Sequence, residues 1–176
     1  GPLAGPVSVG AVVMKPDSKL EWVNDSKKVT EKRREILYDR IIEDSLAWSV
    51  QLIDQQEIDE INILNASLKA FSLALDGLKI KAQYALFDGN RLPKTDIPGE
   101  AVVKGDAKSL SIAAASILAK VSRDRYMEKL HEQYPQYRLD KHKGYPTKLH
   151  YELLAEYGIQ DFYRKSFLKN RPELLK

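Results

Sequence analysis

Apolar residues change their spacing several times along this chain, and each change marks an element. Val7 to Met14 (VSVGAVVM) is an almost unbroken, β-branched run, the pattern of a strand covered on both faces. Pro16-Asp17-Ser18 turns the chain. Thr30 then stands as N-cap before Glu31, Lys32 and Arg33, and Ile36, Leu37 and Ile41 form one apolar stripe, predicting a helix. Leu46 to Ile53 predicts a second strand. From Gln56 to Leu78, the spacing of Ile58, Ile61, Leu64, Leu68, Phe71 and Leu75 keeps a helical period, predicting one long helix. Tyr84 to Phe87 and Ala101 to Val103 are short strand-like runs that end at Asp88 and Lys104. Ser109 to Gln133 predicts the longest helix, alanine-rich at its start and stopped by Pro135. A polar loop holds Asp140 to Pro146, and Thr147 caps a last helix running to about Tyr157. The end of the chain, Lys169 to Lys176, reads as a frayed helix end. Strands alternating with helices predict an α/β domain with a mixed sheet.

Composition narrows the classes. A chain of 176 residues, 43% hydrophobic and 30% charged, is expected to form one ordinary globular domain. The absence of cysteine excludes disulfides, thiolate metal sites and cysteine nucleophiles. No apolar run approaches the roughly 18 residues of a membrane helix, and no signal-peptide pattern opens the chain as given. The expectation is therefore a cytoplasmic protein without a membrane partner. A net charge of +3 says little by itself. Its distribution says more, because Lys104, Lys108, Lys120, Arg123, Arg125, Lys129, Arg138, Lys141, Lys143 and Lys148 crowd one stretch, with Tyr126, Tyr134, Tyr137 and Tyr145 among them. Cations neutralise phosphates and aromatic rings stack on sugars or bases. A solvated helix face is the plainer account of the same charges.

Candidate chemistry centres on two aspartates. Asp88 ends one short strand, and Asp106 sits in Lys104-Gly105-Asp106-Ala107-Lys108-Ser109 after another. Ligands gather outside the carboxyl ends of strands in open α/β sheets, and hard divalent cations take oxygen ligands. Two readings stay open for each: Asp88-Gly89-Asn90 as a plain turn or a ligand position, and Asp106 as a carboxylate favoured near a helix start or a metal ligand. His131, His142 and His150 have no metal-binding helical spacing. His142 reads as a phosphate contact or a surface residue, and Asp124 between Arg123 and Arg125 as a salt-bridge centre. No glycine-rich phosphate loop, nucleophile elbow or serine triad motif is visible.

Several ordered blocks together resemble a known family, the type 2 ribonucleases H (ribonuclease HII). They are Gly1-Pro2-Leu3-Ala4-Gly5-Pro6-Val7, Asp25-Ser26-Lys27-Lys28, Asp88-Gly89-Asn90, Lys104 to Ser109, Ala113 to Val121, Arg123-Asp124-Arg125, His142 to Lys148 and Arg164-Lys165-Ser166-Phe167. The resemblance implies an RNase H-like fold, a five-stranded mixed sheet flanked by helices. It implies a catalytic core over residues 1–135 and a helical, duplex-gripping C-terminal part over 136–176. It also implies a monomeric endonuclease that cuts 5′ of a ribonucleotide in RNA–DNA hybrids or in DNA duplexes with embedded ribonucleotides, using Mn²⁺ or Mg²⁺ in a two-metal mechanism.

By position, the resemblance makes Asp88 and Asp106 the family's third and fourth metal-binding carboxylates and Tyr145 the residue that packs on the sugar. Lys104, Lys108, Lys141, His142 and Lys143 become backbone contacts or supports. Gly1 matches the last glycine of a Gly-Arg-Gly segment that reads the ribose 2′-hydroxyl. In the family an Asp-Glu pair and the rest of that segment lie upstream of the position of Gly1, on the central strand of the sheet. A polypeptide of these 176 residues alone is thus expected to cleave poorly. The rival expectation is a non-catalytic duplex-binding module that uses the Lys104–Lys148 surface and needs no metal.

Overall fold

The structure, a computed structural model, describes residues 1–20 and 28–176. Asp25, Ser26 and Lys27 of the second motif block lie outside the described residues. In chain order the elements are β1 (Val7–Met14), α1 (Glu31–Glu43), β2 (Ser45–Ile53), α2 (Gln55–Ile61), α3 (Ile63–Asp76), β3 (Ala85–Asp88), β4 (Gly99–Val102), α4 (Gly105–Lys108), α5 (Leu110–Gln133), α6 (Leu139–His142) and α7 (Lys148–Tyr157), with short 3₁₀ turns between and after them. They fall into two compact units. One comprises Gly1–Val7, Ile53–Ala66 and Arg123–Lys176, and the other Ser8–Leu52 and Ser67–Ser122.

The second unit holds the strands. β1 pairs with β2, and β3 pairs in parallel with β4, Ala85 opposite Gly99 and Asp88 opposite Val102. Among the described residues these are two two-stranded sheets, where the resemblance implied five strands in one. β1 is correspondingly less covered than its apolar run suggested, since Val9 alone is buried and the rest are half-buried. The core lies where α1 meets α5: Leu37 and Ile41 pack with Ala113, Ala114, Ile117, Leu118 and Val121. Burying each large aliphatic side chain contributes on the order of 1.5–3 kcal/mol, and the alanines let the helix approach closely.

In the first unit Leu3, Met127, Tyr137, Leu139, Leu154, Phe162, Tyr163, Leu168 and Leu174 share one core. Leu174 corrects the expectation of a frayed C-terminus. It anchors a 3₁₀ turn, Pro172–Leu175, while the Arg171 guanidinium lies 4.2 Å from the centre of the Tyr151 ring. Apolar burial and cation–π contact hold a segment whose charges had suggested solvent.

The caps explain most boundaries. Thr30 Oγ1 accepts from Arg33 N, Asp54 Oδ1 from Glu57 N, and Thr147 Oγ1 from His150 N. Asn62 divides the long helix expected over Gln56 to Leu78. At φ 71° it leaves the helical region, and its side chain accepts from Asn65 N at 3.0 Å, starting α3. With ψ 167° it lies outside the left-handed helical region as well, so the chain changes direction there while its side chain caps α3.

Candidate active site

β3 delivers Asp88 to its carboxyl end as an exposed side chain, because Phe87 before it turns inward and alternation turns Asp88 out. Asp88 Oδ1 accepts a hydrogen bond from Gly105 N at 2.9 Å. That bond ties the strand end to the turn that carries the second carboxylate, Asp106, half-buried in α4. Lys104 enters the turn with φ 53°, a left-handed conformation that costs a lysine about 1 kcal/mol or more. Gly105 is buried, and a Cβ there would stand 2.6 Å from Ile112 Cδ1 and 3.3 Å from Asp88 Oδ1. A larger residue would therefore displace the Ile112 side chain and press on the Asp88 carboxylate, a role that the motif alone did not reveal. Lys104 and Lys108 are exposed on either side of Asp106.

The donor set suits a hard cation, since it offers carboxylate oxygens and no thiolate. It is also incomplete: among the described residues no group of three or more His, Cys, Asp or Glu side chains could hold a metal ion. Asp88 and Asp106 would supply part of a ligand shell.

The first unit builds a different surface around Tyr145, a residue that is 40% exposed. Its backbone is held on both sides. Tyr145 N donates to His142 O at 2.9 Å, and His150 Nδ1 donates to Tyr145 O at 2.9 Å. The His150 proton must sit on Nδ1, because the carbonyl can only accept; Nε2 then accepts from the Tyr163 hydroxyl at 2.9 Å. His142 has the opposite tautomer. Gly144 N–H donates to its Nδ1 at 3.1 Å, so Nε2 carries the proton and donates to Tyr137 O at 2.7 Å. The two rings stack with centroids 3.8 Å apart. Burial, helped by the neighbouring His142, pushes His150 down to about 4, and burial lowers His142 as well. Both are neutral supports at neutral pH. His142 is thus buried rather than on the surface, and its place suits support of the loop.

Two buried arginines complete this surface. Arg123 donates to Pro6 O, Ala4 O and Lys143 O at 2.9, 2.8 and 2.7 Å, and its guanidinium lies 5.5 Å from the centre of the Tyr145 ring. Arg164 donates to Gly5 O and Pro6 O, both at 2.9 Å. Burial and the nearby Arg123 push Arg164 down to about 10, which leaves it charged at neutral pH. Each guanidinium thus binds backbone carbonyls of residues 4–6, a use that charge counting did not anticipate. Gly1 is exposed beside Phe167 and Arg164. Lys141 is exposed, whereas Lys143 turns its ammonium to Glu128 at 2.9 Å with a largely covered side chain.

Asp88, Asp106, Lys104 and Lys108 therefore share one unit, and Gly1, Lys141, His142, Lys143 and Tyr145 the other. Known proteins show the same architecture. The crystal structure of ribonuclease H2 from Pyrococcus horikoshii OT3 matches with a TM-score of 0.84 and 29% identity, covering 99% of this chain and 92% of that one. The class is accordingly an RNase H-type α/β fold. The sequence model of the ribonuclease HII family matches residues 1–170, and the chain belongs to that family of ribonuclease H hydrolases. A ribonuclease HII of Caldicellulosiruptor bescii is 52% identical over 170 residues, 97% of this chain and 82% of its own. One from Aliivibrio fischeri strain MJ11 is 50% identical over 167 residues, 95% of this chain and 81% of its own.

Proposed function

We propose that the protein is an endonuclease that hydrolyses the phosphodiester 5′ of a ribonucleotide in RNA–DNA hybrids or in DNA duplexes with embedded ribonucleotides. Water adds to phosphorus, the bond to the 3′ oxygen breaks, and the ends carry a 3′-hydroxyl and a 5′-phosphate. The observation that carries the reading is the Asp88 Oδ1–Gly105 N bond, which joins the two acidic motif positions at one strand end. Asp88 and Asp106 would hold Mn²⁺ or Mg²⁺. A bound divalent cation would supply Lewis-acid stabilisation and an activated water.

The chain's own residues do the rest. Gly105 N–H orients the Asp88 carboxylate through Oδ1. Tyr145 offers an exposed ring to a sugar, held by His150 Nδ1–H and faced by Arg123. Lys104, Lys108 and Lys141 are exposed and would contact phosphates, while Lys143 and His142 would support the loop that carries Lys141. Gly1 would approach the ribose through its backbone. The proposed setting is the cytoplasm and the proposed working form a monomer; among the described residues no helix is long and apolar enough to cross a membrane.

Cleavage of a DNA duplex containing one ribonucleotide, with Mn²⁺ and with EDTA, tests this. Cutting 5′ of the ribonucleotide that EDTA abolishes, and that Asp88→Asn lowers by two orders of magnitude or more, is the expected result. Because only two of the carboxylates are among these residues, we expect weak cutting from a polypeptide of the 176 residues alone and strong cutting once an upstream segment with an Asp-Glu pair is joined to it. Cutting that survives EDTA or Asp88→Asn overturns the reading.

A further inference from the structure

The nuclease reading gives two groups to the sugar, Gly1 and Tyr145, and they stand on segments far apart in sequence but within one unit. Three features join those segments. Leu3 N donates to Gly144 O at 2.7 Å. Gly144, at φ 90°, permits the close approach, since a Cβ there would stand 2.7 Å from Ala4 O and 3.2 Å from Arg123 Nη2. Arg123 then bonds both segments with one side chain. Its Nε donates to Pro6 O and its Nη2 to Ala4 O on the first, and its Nη1 donates to Lys143 O on the second.

The fork of the guanidinium is what allows this. It carries five N–H donors in one rigid plane, whereas an ammonium is a point charge on a flexible stem. Three carbonyls fix the plane, and its centre lies 5.5 Å from the centre of the Tyr145 ring. The distance between residues 4–6 and the Tyr145 loop is thereby set by a covalent fork. Arg123 is only 6% exposed, so it acts on a duplex through the residues it holds and not by touching phosphate. Arg164 differs. Its side chain bonds Gly5 O and Pro6 O and faces Phe167, so it steadies the first segment without reaching the second.

We infer that Arg123 is a positioning residue for sugar recognition: it holds the Gly1 segment and the Tyr145 ring at the spacing that lets one nucleotide meet both. It therefore sets how well ribose is told from deoxyribose. The inference rests on the nuclease reading for what Gly1 and Tyr145 touch, and on the three hydrogen bonds for how they are held. A displacement of about 1 Å at such a site costs on the order of a hundredfold, even when its origin is remote from the contact.

The test measures, by fluorescence anisotropy in the Asp88→Asn protein, the preference for a duplex with one ribonucleotide over the same duplex in all-DNA form. Arg123→Lys keeps the charge and loses the fork, and Gly144→Ala widens the same seam from the other side. Either should lower the preference about tenfold, while affinity for all-DNA duplex stays within about twofold, because no phosphate contact is removed. Leu154→Ala, a cavity in the same core, should destabilise the unit and keep the preference. In the free protein, exchange of the Leu3 amide should quicken about tenfold in Arg123→Lys relative to the amides of α1, a readout that involves no duplex. Preference and Leu3 exchange both unchanged in Arg123→Lys would overturn the inference and leave the nuclease reading standing. Equal loss of preference in Leu154→Ala would overturn it too, by showing general loosening. An Asp88→Asn protein without any preference would refute the sugar contacts themselves, and the inference with them.

Discussion

Protonating either buried histidine would set a proton against an existing donor. His142 Nδ1 accepts from Gly144 N–H and His150 Nε2 accepts from the Tyr163 hydroxyl, so the charged forms lose these bonds as well as hydration. The His150 imidazole titrates near 6.5 in the unfolded chain and at about 4 in the fold. Between those values the unfolded chain binds a proton that the fold excludes. The stabilisation is therefore complete above about pH 6.5 and is lost as pH falls toward about 4, with a full amplitude on the order of 3 kcal/mol. Urea unfolding should show most of that loss between about pH 6.5 and 4. An imidazole resonance of His150 that titrates near 6.5 in the folded protein would refute the assignment. At the strand end, Gly105→Ala forces a methyl against Ile112 and Asp88. Such overpacking typically costs ~1–3 kcal/mol, and metal-dependent cutting should fall more than tenfold because the carboxylate support moves. Unchanged activity, with the loss confined to melting temperature, would show that Gly105 serves packing alone.

At the scale of elements, Asn62 offers the clearest test of how local chemistry divides the chain. Asn62→Ala removes the Oδ1 bond to Asn65 N and keeps a β-carbon at φ 71° and ψ 167°. A destabilisation of about 2 kcal/mol is expected by chemical denaturation, whereas Asn62→Gly, free to adopt that φ, should cost well under half as much. Equal losses for the two variants would assign the effect to the cap alone. The same residue shows what the sequence could convey. The apolar period from Ile58 to Leu75 survives across the break, because α2 and α3 each keep an apolar face, so periodicity reads as one helix. Thr30 and Thr147 were legible as caps because a hydroxyl before an apolar-periodic run has one common use. Asp88 and Asp106 were legible as a pair of strand-end carboxylates, but the Gly105 bond between their segments is a tertiary fact without a sequence signal. Arg123 misled in the opposite direction. It stood among the cations that suggest phosphate, yet it spends its donors on the carbonyls of Ala4, Pro6 and Lys143, a choice made by burial.

For the whole molecule, a net charge of +3 is too small to predict strong nucleic-acid binding, so the dependence on salt must come from particular exposed cations. Lys104, Lys108 and Lys141 are exposed, while Lys143 is paired with Glu128 and Lys148 stands 3.8 Å from Glu152. Each phosphate neutralised contributes about −0.9 to the slope of log affinity against log salt. Binding of an uncut hybrid by Asp88→Asn, followed by fluorescence anisotropy across a salt series, should therefore flatten by about one unit on adding Lys141→Ala. Lys143→Ala should flatten it by much less. Its ammonium is held to a carboxylate, and freeing Glu128 exchanges one local charge pair for one unpaired anion, an effect that salt screens. Equal flattening by both substitutions would mean that duplex displaces Glu128 from Lys143, making the buried stem of Lys143 a phosphate-binding arm that opens on contact. No flattening by either would move the phosphate path away from the Tyr145 loop and leave Lys104 and Lys108, beside the carboxylates, to carry the electrostatic part of binding.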